Sequence, residues 1–195
     1  MTGSRPLDNC TSSDGNVTEF RIRIVNSFED IDRDGWSSLS GTTRPGESGG
    51  LYNPFVSYAF LNALEAGGCA TADTGWLGQH LLLETDDGSL LGALPCYLKN
   101  HSQGEYVFDH GWADAYERAG GRYYPKLQSS IPFTPATGPR LLHRRDAGNA
   151  YVQSALAAGL KTLTDRIGAS SAHATFVPED EIAAFADQGY LQRTD

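Results

Sequence analysis

The sequence predicts an α/β layered protein with a mixed β-sheet flanked by helices. Short alternating apolar runs, longer stretches with helical spacing and the interleaving of the two point to that class. The order reads strand, helix, hairpin, strand, helix, strand, helix, and then a strand cut off by the end of the chain at Asp195. With 195 residues and 39% hydrophobic content, the chain is long enough for one sizeable core and short for two.

The elements follow from local chemistry. Residues 1–19 are polar and rich in Ser, Thr, Asp and Gly, the composition of a disordered tail, so the expected domain is 20–195. FRIRIV, residues 20–25, alternates and predicts the first strand. Residues 26–51 read as a long irregular connector. Asn53-Pro54 is a helix start, with Asn as cap and Pro in the first turn, and Gly67-Gly68 ends that helix. QHLLLET and residues 90–99, joined by Asp87-Gly88, predict a hairpin, with Pro95 marking an edge or a bulge. Residues 106–108 suggest a short strand and 113–119 one or two helical turns, where Asp114 can pair with Arg118. Residues 129–142 are extended but interrupted by Pro132, Pro135 and Pro139. Asp146 caps an amphipathic helix carrying Val152, Leu156, Leu160, Leu163 and Ile167 on one side. AHATFV then reads as a strand, Pro178 opens a short acidic helix, and Tyr190-Leu191 begins one more strand.

Composition excludes several classes. A net charge of -9 argues against an extensive nucleic-acid surface. No apolar run approaches the ~20 residues of a membrane span, and the N-terminus has no signal-peptide core. Cys10, Cys69 and Cys96 are an odd set without paired spacing, and the histidines show no ligand spacing. The expectation is a cytoplasmic protein with free thiols and no metal.

Function concentrates in residues 105–140. Glu105, Asp109, Asp114 and Glu117 precede any base there, and Arg118, Arg122, Lys126, Arg140, Arg144 and Arg145 follow with no acid between them. Aromatic rings run through both halves. Rings beside charges of both signs either line a site for a polar ligand or form an aromatic core with ion pairs on its rim. Asp109, Asp114 and Glu117 are candidate bases, Asp109 first because it follows the apolar YVF, and Tyr116 can supply a phenol. Each acid can equally be a cap or a surface charge. Tyr106, His110, Trp112, Arg122, Tyr123, Tyr124, Lys126 and Arg140 are the substrate-binding candidates, the cations alternatively serving as partners for these acids.

NPFVSYAFLNALE, GEYVFDHGWADAYERAGGRYYPKLQ and PFTPATGPRLL together resemble the FemAB-like group of the GNAT acyltransferase superfamily, over about residues 53–190. His110 departs from the Trp expected of that group. The resemblance implies a GNAT-like fold and transfer of an acetyl or aminoacyl group to an amine on a small molecule or peptide, without a covalent enzyme intermediate. It also implies acetyl-CoA or another acyl donor as co-substrate. A loose pyrophosphate-loop pattern falls on Arg145, Gly148 and Ala150; a capped helix start is the competing reading. Such proteins usually carry two GNAT-like halves, and the resemblance covers the first. The chain therefore reads as an N-terminal half with an incomplete sheet, expected to pack on a second half or to self-associate. Its alternative role is acceptor binding without chemistry of its own.

Overall fold

The alternation in FRIRIV forms β1 (Phe20–Val25) in the computed structural model, which describes residues 20–40, 53–103, 105, 109–144 and 149–194. The expected tail, the 106–108 strand and the Asp146 cap lie outside those residues. β1 pairs antiparallel with β3 (His80–Thr85), and β3 turns back into β4 (Leu90–Leu94). Gly88 in that turn has φ +85°, where a Cβ would be costly. β7 (Leu142–His143) completes an antiparallel sheet in the order β1-β3-β4-β7.

The single mixed sheet expected from sequence is divided in two. β2 (Leu77–Gly78), β5 (Tyr97–Lys99), β6 (Lys126–Ser129) and β8 (Ala172–Ala174) form a second sheet in that order, with β6 and β8 parallel. Pro95 lies between β4 and β5. It has no N–H for the ladder, and there the chain leaves one sheet and enters the other. The run 129–142 contributes only its two ends to strands, β6 and β7.

The 26–51 connector contains structure that the sequence reading missed. A 3-10 turn, Phe28–Asp30, precedes α1 (Arg33–Leu39). Asp32 caps α1, its Oδ2 accepting from the Gly35 N–H at 2.6 Å. RDGWSSL has weak helix propensity; burial of Trp36 and Leu39 stabilises it. The Trp36 Nε1–H donates to the Val56 carbonyl at 2.9 Å, tying α1 to the next segment. Asn53-Pro54 yields only a 3-10 turn, Pro54–Val56, because Ser57 re-caps the chain and starts α2 (Tyr58–Ala66). α3 (His110–Arg118) is longer than expected, and its Arg118 donates to the Asp114 carbonyl.

α4 (Asn149–Ile167) and α5 (Glu179–Ala186) follow the predicted pattern. β3 sorts its leucines by alternation. Leu81 and Leu83 join Val152, Leu156 and Leu160 of α4, whereas Leu82 joins Phe28, Trp36, Val56 and Leu61 on the opposite face. The first sheet is thus a layer between α4 and the α1–α2 pair. Each fully buried large side chain contributes about 1.5–3 kcal/mol. Gly159 of α4 allows the close approach: a Cβ there would meet Ile22 Cδ1 at 2.4 Å. Residues 190–194 form no strand; Tyr190 packs its ring on Phe185 with centroids 5.3 Å apart. No helix among the described residues is long and apolar enough to cross a membrane.

Candidate functional site

Alternation in the second sheet separates two surfaces. Leu98, Leu127, Ala172 and Ala174 face the α4 core. The intervening positions are Tyr97 and Lys99 on β5, Lys126 and Gln128 on β6, and His173 on β8. The register sets Tyr97 beside Gln128 and Gln128 beside His173, with Lys99 opposite Lys126. A polar row on a sheet would ordinarily meet water. Here Tyr97, Lys99, Lys126 and Gln128 are all buried, so each polar group needs a partner.

Two acids preceding α3 meet the two lysines. Asp109 stands at the N-cap position of α3, but its side chain makes no cap bond. Its carboxylate instead accepts from the Lys126 ammonium, from the Tyr123 hydroxyl at 3.0 Å and from the Tyr124 hydroxyl at 2.9 Å. The Tyr124 hydroxyl also lies 2.9 Å from the Ser102 hydroxyl. The lysine sits near both rings, 5.3 Å from the Tyr123 centroid and 5.9 Å from that of Tyr124. Burial alone would raise the Asp109 pKa, but Lys126 and the surrounding hydroxyls override it and hold the carboxyl down at about 2. Burial and the Asp109 charge push both phenols up, Tyr124 to about 12. The two rings therefore stay protonated and donate.

Lys99 forms the second pair, its ammonium 2.5 Å from Glu105 and 3.4 Å above the Trp76 ring centroid. Burial lowers its pKa to about 8, against the opposing pull of Glu105. Neither charged atom makes a well-aligned hydrogen bond, and the buried Trp76 Nε1 and Tyr97 hydroxyl have no partner among the described residues. Such atoms are costly unless water or ligand meets them.

His173 shares this face, its Nε2 hydrogen-bonded to the Ser171 hydroxyl at 2.8 Å and its ring 6.3 Å from that of Tyr123. Burial, reinforced by the Lys126 charge, lowers its pKa to about 4. The imidazole is therefore neutral at pH 7.

The structure thus brings together Asp109, Tyr123, Tyr124 and Lys126. Tyr116 joins at the edge, its ring 6.2 Å from Tyr123. His110, Trp112, Asp114 and Glu117 lie exposed on α3, and Arg122 is exposed just after it. The guanidinium of Arg193 stacks 4.2 Å over Trp112. Ala150 is exposed in the first turn of α4. Tyr106, Arg145 and Gly148 lie outside the described residues. His173, Lys99 and Ser102 were not among the sequence candidates. The alternation of YLK, KLQ and AHA was the available signal, but a polar residue on alternate strand positions ordinarily means a solvated face.

Arg140 sits apart from this group. Fully buried, it donates to the carbonyls of Ala136 (2.8 Å), Gly138 (2.9 Å), Pro139 (3.2 Å) and Thr175 (3.1 Å). Glu181 of α5 accepts from the backbone N–H groups of Arg140 at 2.9 Å and Leu141 at 3.1 Å. Burial raises the Glu181 pKa from 4.5 to about 7, although those N–H groups and Arg140 oppose the shift. A raised carboxyl contributes stability that is fully present below pH 4.5 and lost as pH rises through about 7. Glu181→Gln retains the acceptor and removes the titration. Urea unfolding should show the variant gaining about 2–3 kcal/mol on wild type between pH 5 and pH 8; parallel curves would refute the assignment.

Over residues 27–195 the sequence matches the FemAB-like family, described as peptidoglycan biosynthesis/recognition, and the chain belongs to that family. No curated protein matches it. Among solved structures, an acetyltransferase from Trypanosoma brucei is similar over 91% of this chain and 96% of that chain, at 11% identity and a TM-score of 0.47.

Proposed function

We propose that the chain is a GNAT-type N-acyltransferase half whose reaction takes place over the polar face of the second sheet, with an amine of a peptidoglycan peptide as acceptor. The observation that carries this reading is the placement of the His173 imidazole on the same sheet face as Lys126, beside the Tyr123 ring. Acyl transfer needs those two groups: a base for the proton of the attacking amine and a positive donor for the oxyanion. The amine nitrogen attacks the acyl carbon, the C–N bond forms, and His173 takes the proton. Collapse of the tetrahedral oxyanion then breaks the bond to the donor's leaving group, which departs as the thiolate of acetyl-CoA or, taking the proton back from His173, as the alcohol of an aminoacyl ester. Asp109 is already engaged by the Lys126 ammonium and by the Tyr123 and Tyr124 hydroxyls. Its role is to position Lys126 and the two phenols. The FemAB-like membership supports the choice of acceptor.

A non-catalytic, acceptor-binding half is the second reading, favoured by the exposed rings of Trp112 (58%) and Tyr116 (49%) one helical turn apart. A second GNAT-like half or another copy of the chain would then pack beside it. The discriminating experiment offers a lysine-containing stem peptide with acetyl-CoA or aminoacyl-tRNA and measures acylated product. His173→Ala should lower turnover about 10²–10⁴-fold with little change in peptide affinity. Peptide binding without turnover by wild type would favour the second reading. Turnover unchanged in His173→Ala would remove the histidine from the chemistry.

A further inference from the structure

The segment that follows α5 is fixed at two points of unequal strength. Tyr190 is the firm one. Its ring packs 5.3 Å from that of Phe185, and its hydroxyl donates to the Ala157 carbonyl of α4 at 3.3 Å. Arg193 is the weak one. Its guanidinium lies 4.2 Å over the Trp112 ring, which stays 58% exposed, and among the described residues no carboxylate pairs with it. A cation–π contact this wet is weak. Between the two points Leu191 is 86% exposed and Gln192 is exposed as well. A stretch with so little buried contact opens at low cost.

The weak point borders the polar face of the second sheet. Trp112 stands one helical turn from Tyr116 on α3, Tyr116 packs 6.2 Å from Tyr123, and Tyr123 lies 6.3 Å from His173. Besides burial and the Lys126 ammonium, the Arg193 guanidinium lowers the His173 pKa, and it opposes the rise that burial imposes on Tyr123. Its charge therefore lies close to both groups. We propose that residues 191–194 are a strap across the β8 side of the polar face, latched by Arg193 on Trp112, and that release of the latch opens His173 and Tyr123 to ligand. The anchor at Tyr190 keeps the segment in place while the latch opens and closes. A closed strap shields the imidazole from solvent, as active-site lids do. The inference rests on the location of the site on this face and not on the reaction assigned there.

The test needs no turnover, so a missing transfer reaction leaves the strap standing and a failed strap leaves the transfer reading standing. Diethyl pyrocarbonate labels neutral imidazoles, and mass spectrometry of the intact chain's peptides gives the initial rate at His173, with His143 of β7 as internal reference. Arg193→Ala and Trp112→Ala each break the latch at exposed positions. Each should speed labelling of His173 about two- to five-fold, the population change that loss of an exposed cation–π contact brings, and leave His143 unchanged. The double variant should label no faster than either single one, because one latch is broken once. Acrylamide quenching reports the latch itself, since Trp36 and Trp76 are buried and Trp112 is exposed; it should rise in Arg193→Ala. Unchanged quenching, an unchanged His173 rate in either single variant, or rates that multiply in the double variant would overturn the proposal.

Discussion

Arg140→Met is expected to lower the unfolding free energy by about 3–5 kcal/mol, the largest effect of any substitution proposed for this chain. Methionine fills much of the space of the arginine stem but donates nothing. The carbonyls of Ala136, Gly138, Pro139 and Thr175 would be left in the interior without this donor. Burial already lowers the pKa of the guanidinium to about 10, a sign of how dry the pocket is. Arg140→Lys should recover only part of the loss, since an ammonium has fewer donors and no planar fork to span several carbonyls. Urea unfolding measures both variants. A loss below about 1 kcal/mol for methionine would mean that the loop finds other partners for these carbonyls.

Asp109→Asn should cost about 2–4 kcal/mol and abolish most transfer activity, because it leaves the Lys126 ammonium buried beside Lys99 without its carboxylate. The Tyr123 and Tyr124 hydroxyls lose an anionic acceptor at the same time. Adding Lys126→Met removes the stranded charge, so the double variant should be more stable than Asp109→Asn alone while remaining inactive. A double variant less stable than either single one would show that hydroxyl packing, and not the ion pair, dominates the cluster. The carboxyl is depressed, so its contribution is present above the ordinary pKa of 3.8 and is lost as pH falls through about 2. The difference between wild type and Asp109→Asn should therefore be flat from pH 5 to pH 8 and shrink only in strong acid.

Legibility differed element by element. β1, the β3–β4 hairpin, α4 and α5 were readable because their apolar spacing is local, and a Gly or Pro ends the runs of the hairpin and of both helices. α1 was not, since a glycine and two serines conceal a helix that exists because Trp36 has a core to enter. Pro95 was seen as an interruption, but its result, a strand passed between two sheets, depends on partners far away in sequence. In the site, the run of acids followed by bases led to Asp109, Tyr123, Tyr124 and Lys126, which do meet. It led equally to Arg140, whose position among backbone carbonyls no charge count could indicate. His173 lies 64 residues beyond Asp109, and it reaches the site only because β8 pairs parallel with β6.

The amino-acid order alone determined the α/β class, the main periodic elements and the segment in which charges and rings concentrate. These rest on spacing along one stretch of backbone. Which lysine meets which carboxylate, which polar groups are buried and which imidazole stands beside them were decided only when the strands took their register. Pairing across the sheet brings distant residues within a few ångströms and removes the water that would otherwise screen them, and that joint change converts a row of polar side chains into a candidate site.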